Sequence, residues 1–193
     1  MVFLILAIYM VSFTNLKPID KLMLGIYFSG AITCLLFSTL FHTMLCHSHQ
    51  VHKTMAKFDH CGISIQIIGS MIPAFYYGFY NEQKFFWIYI SIGSILCLMS
   101  VIVSLLDRFS KPEARIIRAS VFLGFGLTNI IPGIHMFFFL ESEYIIYYSM
   151  IIIQGLLYTI GGLLYAMRIP ERYFPGKCDY LYESHKIFHI LVV

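Results

Sequence analysis

The sequence predicts an all-α membrane protein: a seven-transmembrane helix bundle with its N-terminus on the cytoplasmic side. Three observations carry this. Of 193 residues, 59% are hydrophobic and 12% charged, with a mean hydropathy of +0.79; a soluble domain averages about 45–50% apolar and about 25% charged. The apolar residues form long runs suited to the roughly 17–25 residues of a spanning helix, not the short alternating segments of a β-barrel. Basic residues gather on alternate connections between those runs, as the positive-inside rule requires.

The elements follow in order within one transmembrane domain, 1–193. The first run, 1–16, has neither a basic leader nor a small-residue cleavage site, so it reads as a helix and not a signal peptide. The second covers 22–46, the third 59–80 and the fourth 84–106. The fifth covers 116–140 and the sixth 144–167. A seventh begins at 184 and reaches only 193. The short first run and the abrupt last one predict a fragment with a truncated seventh helix. The connections after spans two, four and six carry Lys53, Lys57, Arg108, Lys111, Arg115, Arg118, Arg168, Arg172, Lys177 and Lys186. The opposite side carries Lys17, Lys21 and Lys84. Ten against three places the first set, and the N-terminus, in the cytoplasm.

Other signals are structural. Pro73 and Pro132 fall inside spans and are expected to kink them. Gly69, Gly124, Gly126, Gly155, Gly161 and Gly162 suit close helix packing, and Gly124-x-Gly126 lacks the third glycine of a nucleotide loop. Asp107-Arg108-Phe109 reads as a solvated helix end. The five cysteines are irregularly spaced and predict no disulfide framework. No basic block points to nucleic acid.

Ionisable residues inside the spans carry the chemistry. An Asp at a helix centre costs roughly 2.5–3.5 kcal/mol on insertion scales, so such residues usually mark function. His42, Asp59, His185 and His189 lie near the cytoplasmic ends of three different spans. His185 and His189 are four apart and share one helix face; two interfacial histidines are the alternative reading. Ser38 lies one turn before His42, which by itself also reads as a core histidine. Asp59 by itself also reads as an N-cap. Together the three imidazoles suit a zinc site with an open fourth position, where Asp59 is the acceptor or general base for a water and Ser38 orients it. His47, His49, His52 and His60, with Cys46 and Cys61, form a competing cluster in or beside a cytoplasmic loop, read as solvated. His135 stands apart, as packing or as a cavity wall.

Ser38-x-x-x-His42, Cys46-His47-Ser48 and Asp59 resemble the progestin and adipoQ receptor family. So do Pro170-Glu171-Arg172-Tyr173-Phe174-Pro175-Gly176-Lys177 and Ser184-His185-Lys186-Ile187-Phe188-His189. The stretches Asp107-Arg108-Phe109 and Arg118-Ala119-Ser120-Val121-Phe122-Leu123-Gly124 are similar to adiponectin receptors in particular. The resemblance covers nearly the whole chain. Cys178 departs from it, standing where Phe is common, and His49, His52 and His60 lie outside its pattern. The family's cytoplasmic N-terminal region and most of its seventh helix are expected to be missing.

That resemblance implies seven helices and a zinc ion held by His42, His185 and His189, with Asp59 and Ser38 as the catalytic pair beside it. It further implies a multi-pass protein of the plasma membrane with a lipid-accessible cavity. The implied partners are a membrane lipid, a ceramide or free fatty acid, and an extracellular protein ligand. The implied reaction is hydrolysis of ceramide-type amides. The alternative is a non-enzymatic receptor or scaffold whose zinc is structural. A transporter would need inverted repeats and broken helix pairs, which the sequence lacks.

Overall fold

The apolar runs become helices, and the polar punctuation between them sets where each begins. The computed structural model describes residues 2–13, 15–44, 46–109, 114–138, 145–174 and 183–192. Among these the regular elements are α1 (Val2–Phe13), α2 (Pro18–Thr43), α3 (His49–Gly78), α4 (Gln83–Leu105), α5 (Arg115–Leu127), α6 (Ile130–Phe137), α7 (Ile145–Met167) and α8 (Ser184–Val192), with a 3₁₀ turn at Asp107–Phe109. The all-α class is as predicted. Among the described residues four stretches are long and apolar enough to cross a membrane: Pro18–Thr43, Gln83–Leu105, Ile116–Phe137 and Ser149–Met167.

Two helices differ from the sequence reading in an informative way. α3 begins at His49, ten residues before the expected start at Asp59, because Ser48 caps it: the Ser48 side chain accepts the Val51 N–H at 3.3 Å. Lys53 and Lys57, read from sequence as loop residues, therefore sit on a helix of 30 residues. At 1.5 Å per residue such a helix is about 45 Å long, more than the ~30 Å hydrocarbon core of a bilayer. The expected fifth span is split in two. Pro132 has no N–H to offer the Thr128 carbonyl, and α5 ends at Leu127 before α6 starts at Ile130. At the end of α5 the Thr128 hydroxyl and the Asn129 amide donate to the carbonyls of Phe125 and Gly126. Pro73, by contrast, is absorbed within a continuous α3.

The helices fall into two compact units, Met1–Leu105 and Leu106–Val193. The first is built on α2 against α3, with α4 packed on α3 and α1 on α2. Its core includes Ala31, Cys34, Ile63, Ile67, Phe75 and Phe79. Ser64 and Ser100 join α3 to α4 by a buried hydroxyl pair at 2.8 Å. The outer face of α4 exposes Trp87, Ile88, Ile92, Ile95, Leu98 and Ile102, the surface of a helix solvated by lipid. The second unit packs α7 between α5 and α8. Its core includes Ala119, Phe122, Phe125, Tyr158, Tyr165 and Phe188, and the buried Tyr158 hydroxyl donates to the Phe122 carbonyl at 2.6 Å.

Candidate metal centre

The five residues singled out from sequence divide between the units: Ser38, His42 and Asp59 in the first, His185 and His189 in the second. In the first, glycines set the register. A Cβ at Gly62 would lie 3.0 Å from the Cα of Cys34, one at Gly30 would lie 3.3 Å from the Ile65 carbonyl oxygen, and one at Gly69 would lie 3.4 Å from the Cα of Gly30. Only glycine lets the α2 and α3 backbones approach so closely. Each turn along α2 is matched by a turn back along α3. At the inner end of this seam the rings of Phe37 and Phe58 meet, centroids 5.5 Å apart. Ser38 on α2 and Asp59 on α3 are the chain neighbours of this ring pair.

Ser38 and Asp59 are both buried, Asp59 at 0% exposure. Asp59 is not an N-cap, since Ser48 has that role; it sits mid-helix, where a carboxylate has no capping reason to be. His42 is half-buried one turn beyond Ser38, with its Nε2 shut off from solvent. Two of the competing histidines have ordinary structural roles: the ring of His52 packs against Phe41 at 5.3 Å, and His60 Nδ1 lies 2.5 Å from the carbonyl oxygen of Ala56 one turn back. Cys46 is exposed. The Pro175-Gly176-Lys177 stretch and Cys178 lie outside the described residues.

In the second unit, α8 presents His185 and His189 from one face, both 6% exposed. Their Nε2 atoms are 3.1 Å apart and their ring centroids 4.7 Å apart. Two imidazole nitrogens on one tetrahedral zinc, each bonded at about 2.0–2.1 Å, stand about 3.3 Å from each other. The 3.1 Å spacing fits two nitrogens on a shared ion, and in the absence of an ion it is a hydrogen bond from one Nε2–H to the other Nε2. An aromatic bed holds this face: His185 leans on Tyr165 at 5.3 Å, and Phe188, 2% exposed, packs on Tyr165, Tyr158 and His189. α8 approaches α7 closely at Gly161, where a Cβ would lie 3.2 Å from Leu191 and 3.3 Å from Phe188.

Sequence reasoning missed Glu171. It is 7% exposed and accepts two hydrogen bonds from Ser184, one from the N–H at 2.9 Å and one from the hydroxyl at 2.5 Å. Thirteen residues separate the two, and no periodicity links them.

Residues 1–193 match the family described as Haemolysin-III related. The chain is 45% identical to "Adiponectin receptor protein" of Drosophila melanogaster, over 99% of this chain and 44% of that protein. It is 42% identical to "Progestin and adipoQ receptor-like protein 1" of Caenorhabditis elegans, over 90% of this chain and 41% of that protein. It is 38% identical to "ADIPOR-like receptor IZH2" of Saccharomyces cerevisiae, over 94% and 58%. The chain thus spans about half the length of the curated relatives it matches.

Proposed function

The chain belongs to the haemolysin-III-related family as an adiponectin-receptor-like, multi-pass membrane protein, and from that premise we propose that it holds a zinc ion and hydrolyses ceramide-type lipid amides. His42, His185 and His189 hold the metal in this reading. A zinc ion held by three imidazoles supplies a Lewis acid that polarises a carbonyl and makes water acidic near neutral pH. The protein's own groups do the rest. The Asp59 carboxylate, kept from bulk water, accepts the proton of the attacking water at its Oδ atoms. The Ser38 hydroxyl, buried on the neighbouring helix, donates a hydrogen bond that orients the substrate oxygen. The acyl chain and the sphingoid base are accommodated by the apolar helix faces, and the plasma membrane is the proposed location. A protein ligand on the extracellular side would act on this reaction.

The observation that carries the reading is the 3.1 Å convergence of the His185 and His189 Nε2 atoms in a buried pocket of aromatic rings. A divalent cation between the two Nε2 atoms would take a lone pair from each. The test is metal content by mass spectrometry of the purified protein. His185→Ala and His189→Ala should each lose nearly all bound zinc, whereas His49→Ala and His52→Ala, both exposed on the first turns of α3, should keep it. Equal zinc in all four variants would sink the assignment.

A further inference from the structure

The segment that follows α7 is built to deliver one carboxylate. α7 closes with a Schellman motif: the Ile169 N–H reaches the Leu164 carbonyl at 3.1 Å and the Arg168 N–H reaches Tyr165 at 3.4 Å. Arg168 takes the left-handed position, φ 56°, where glycine is usual. The chain then turns tightly on itself. Arg172 N–H donates to the Arg168 carbonyl at 2.8 Å, and the Tyr173 and Phe174 N–H groups donate to Pro170 at 2.9 and 3.2 Å. Arg172, Tyr173 and Phe174 are exposed, while Glu171, just before them, is buried.

Glu171 meets the first residue of α8. Its Oε2 accepts the Ser184 N–H and its Oε1 accepts the Ser184 hydroxyl, and Ser184 is 0% exposed. The first N–H groups of a helix have no partner within it, and a carboxylate there also meets the positive end of the helix dipole. The placement of α8 (Ser184–Val192) follows from what it packs against and from what caps its first turn. Phe188 holds it laterally, in the bed of Tyr158 and Tyr165. Glu171 holds its N-terminus at two points, one on the backbone and one on the side chain. His185 is the next residue.

We propose that Glu171 is a positioning residue for the metal: its two-point hold on Ser184 fixes the placement of α8 at which His185 and His189 converge. The inference rests on the reading that these two histidines bind zinc. It assigns a physical task to the Pro170-Glu171-Arg172 motif, which the chemistry of the three histidines leaves unused. A carboxylate is suited to this task because it accepts from both Ser184 donors at once, without a proton of its own to place.

The experiment measures zinc affinity by chelator competition on the full chain in detergent, with the absorption spectrum of the cobalt-substituted protein as a second readout. Glu171→Ala should weaken zinc binding about 10–100-fold, the usual cost of losing a group that orients a metal ligand, and should alter the cobalt spectrum. Glu171→Gln should stay within about 3-fold of the parent, because its oxygen accepts from the N–H while its amide donates to the hydroxyl. Ser184→Ala, which keeps only the backbone bond, should weaken binding about 10-fold, the worth of one hydrogen bond to a charged group. If Glu171→Ala does not fold, the difference between Glu171→Gln and Ser184→Ala decides the question. A parent without zinc overturns the metal reading and this inference with it. Zinc in the parent, with equal affinity and an unchanged cobalt spectrum in the variants that fold, overturns the positioning role alone; lower thermal stability without a change in affinity has the same meaning.

Discussion

The two units hold their histidines by opposite means. In the first, Ser38, His42 and Asp59 ride on helices of 26 and 30 residues whose backbones touch through Gly30, Gly62 and Gly69. Position there follows from length and close packing: a long helix pinned along a glycine seam has no freedom to slide. In the second, His185 and His189 lie on the first turns of α8, held by an aromatic bed and by a carboxylate from a preceding turn. Position there is imposed from outside the helix. The first kind of support is spread over many contacts and is lost only when the helices are forced apart. The second is concentrated in a few side chains, so single substitutions should act on it sharply.

The largest expected effect separates chemistry from scaffold. Asp59→Asn keeps the size of the side chain in its buried place but removes the base. Zinc should stay bound, and amide hydrolysis should fall about 10²–10⁴-fold, the worth of a general base. The assay is ceramide turnover with parallel metal analysis. Zinc retained in a parent that never hydrolyses the lipid would leave the non-enzymatic receptor, with a structural ion, as the reading to keep.

The next sharpens the contrast in support. Gly62→Ala places a methyl 3.0 Å from a backbone atom, the Cα of Cys34; the helices must separate, at a cost of about 1–3 kcal/mol for overpacking. Gly161→Ala meets the side chains of Leu191 and Phe188 instead, which yield by moving. It should cost less than about 1 kcal/mol in thermal stability yet lower zinc affinity, since Phe188 lies between the two histidines on α8. Gly25→Ala, with nothing within 4 Å, should be neutral or slightly stabilising, because Ala is the better helix former by about 1 kcal/mol. Thermal melts in detergent check all three. Equal losses at Gly62 and Gly161 would erase the distinction between distributed and concentrated support.

The same contrast explains what the sequence disclosed. The helical class follows from hydropathy, and the intramembrane polar residues stand out because apolar runs surround them. His185 and His189 are legible as a pair because four residues is one turn. α3 starts ahead of the span expected from 59 because a helix can carry charges such as Lys53 and Lys57 past the apolar stretch, and Ser48 is the residue that caps it there. The break before Ile130 follows from Pro132, but its position one turn earlier follows from the carbonyl that proline leaves unmatched. Glu171 was invisible for a different reason. Its partner is thirteen residues on, across a turn whose path no local rule gives, and an acidic residue in a polar connection looks solvated until the structure buries it.

The smallest expected effect tests whether distributed support tolerates loss. Ser64 and Ser100 form a buried hydroxyl pair between α3 and α4 at 2.8 Å, each at or below 1% exposure. In an apolar interior an abandoned hydroxyl is expensive, roughly 1–3 kcal/mol. A serine on a helix has an escape, however: its hydroxyl can rotate to the carbonyl one turn back. Ser104 already does this to the Ser100 carbonyl at 2.9 Å. Ser64→Ala therefore leaves Ser100 able to satisfy itself on its own helix, and the converse holds for Ser100→Ala. Each should cost about 0.6 kcal/mol, the average for interhelical hydrogen bonds in membrane proteins. The double variant should cost little more than either single one, because the pair is lost as soon as one hydroxyl is removed. A double-mutant cycle of thermal stabilities in detergent measures this. Losses above about 2 kcal/mol for one substitution would mean that the hydroxyls cannot rotate away, and that the first unit depends on single side chains as closely as the second.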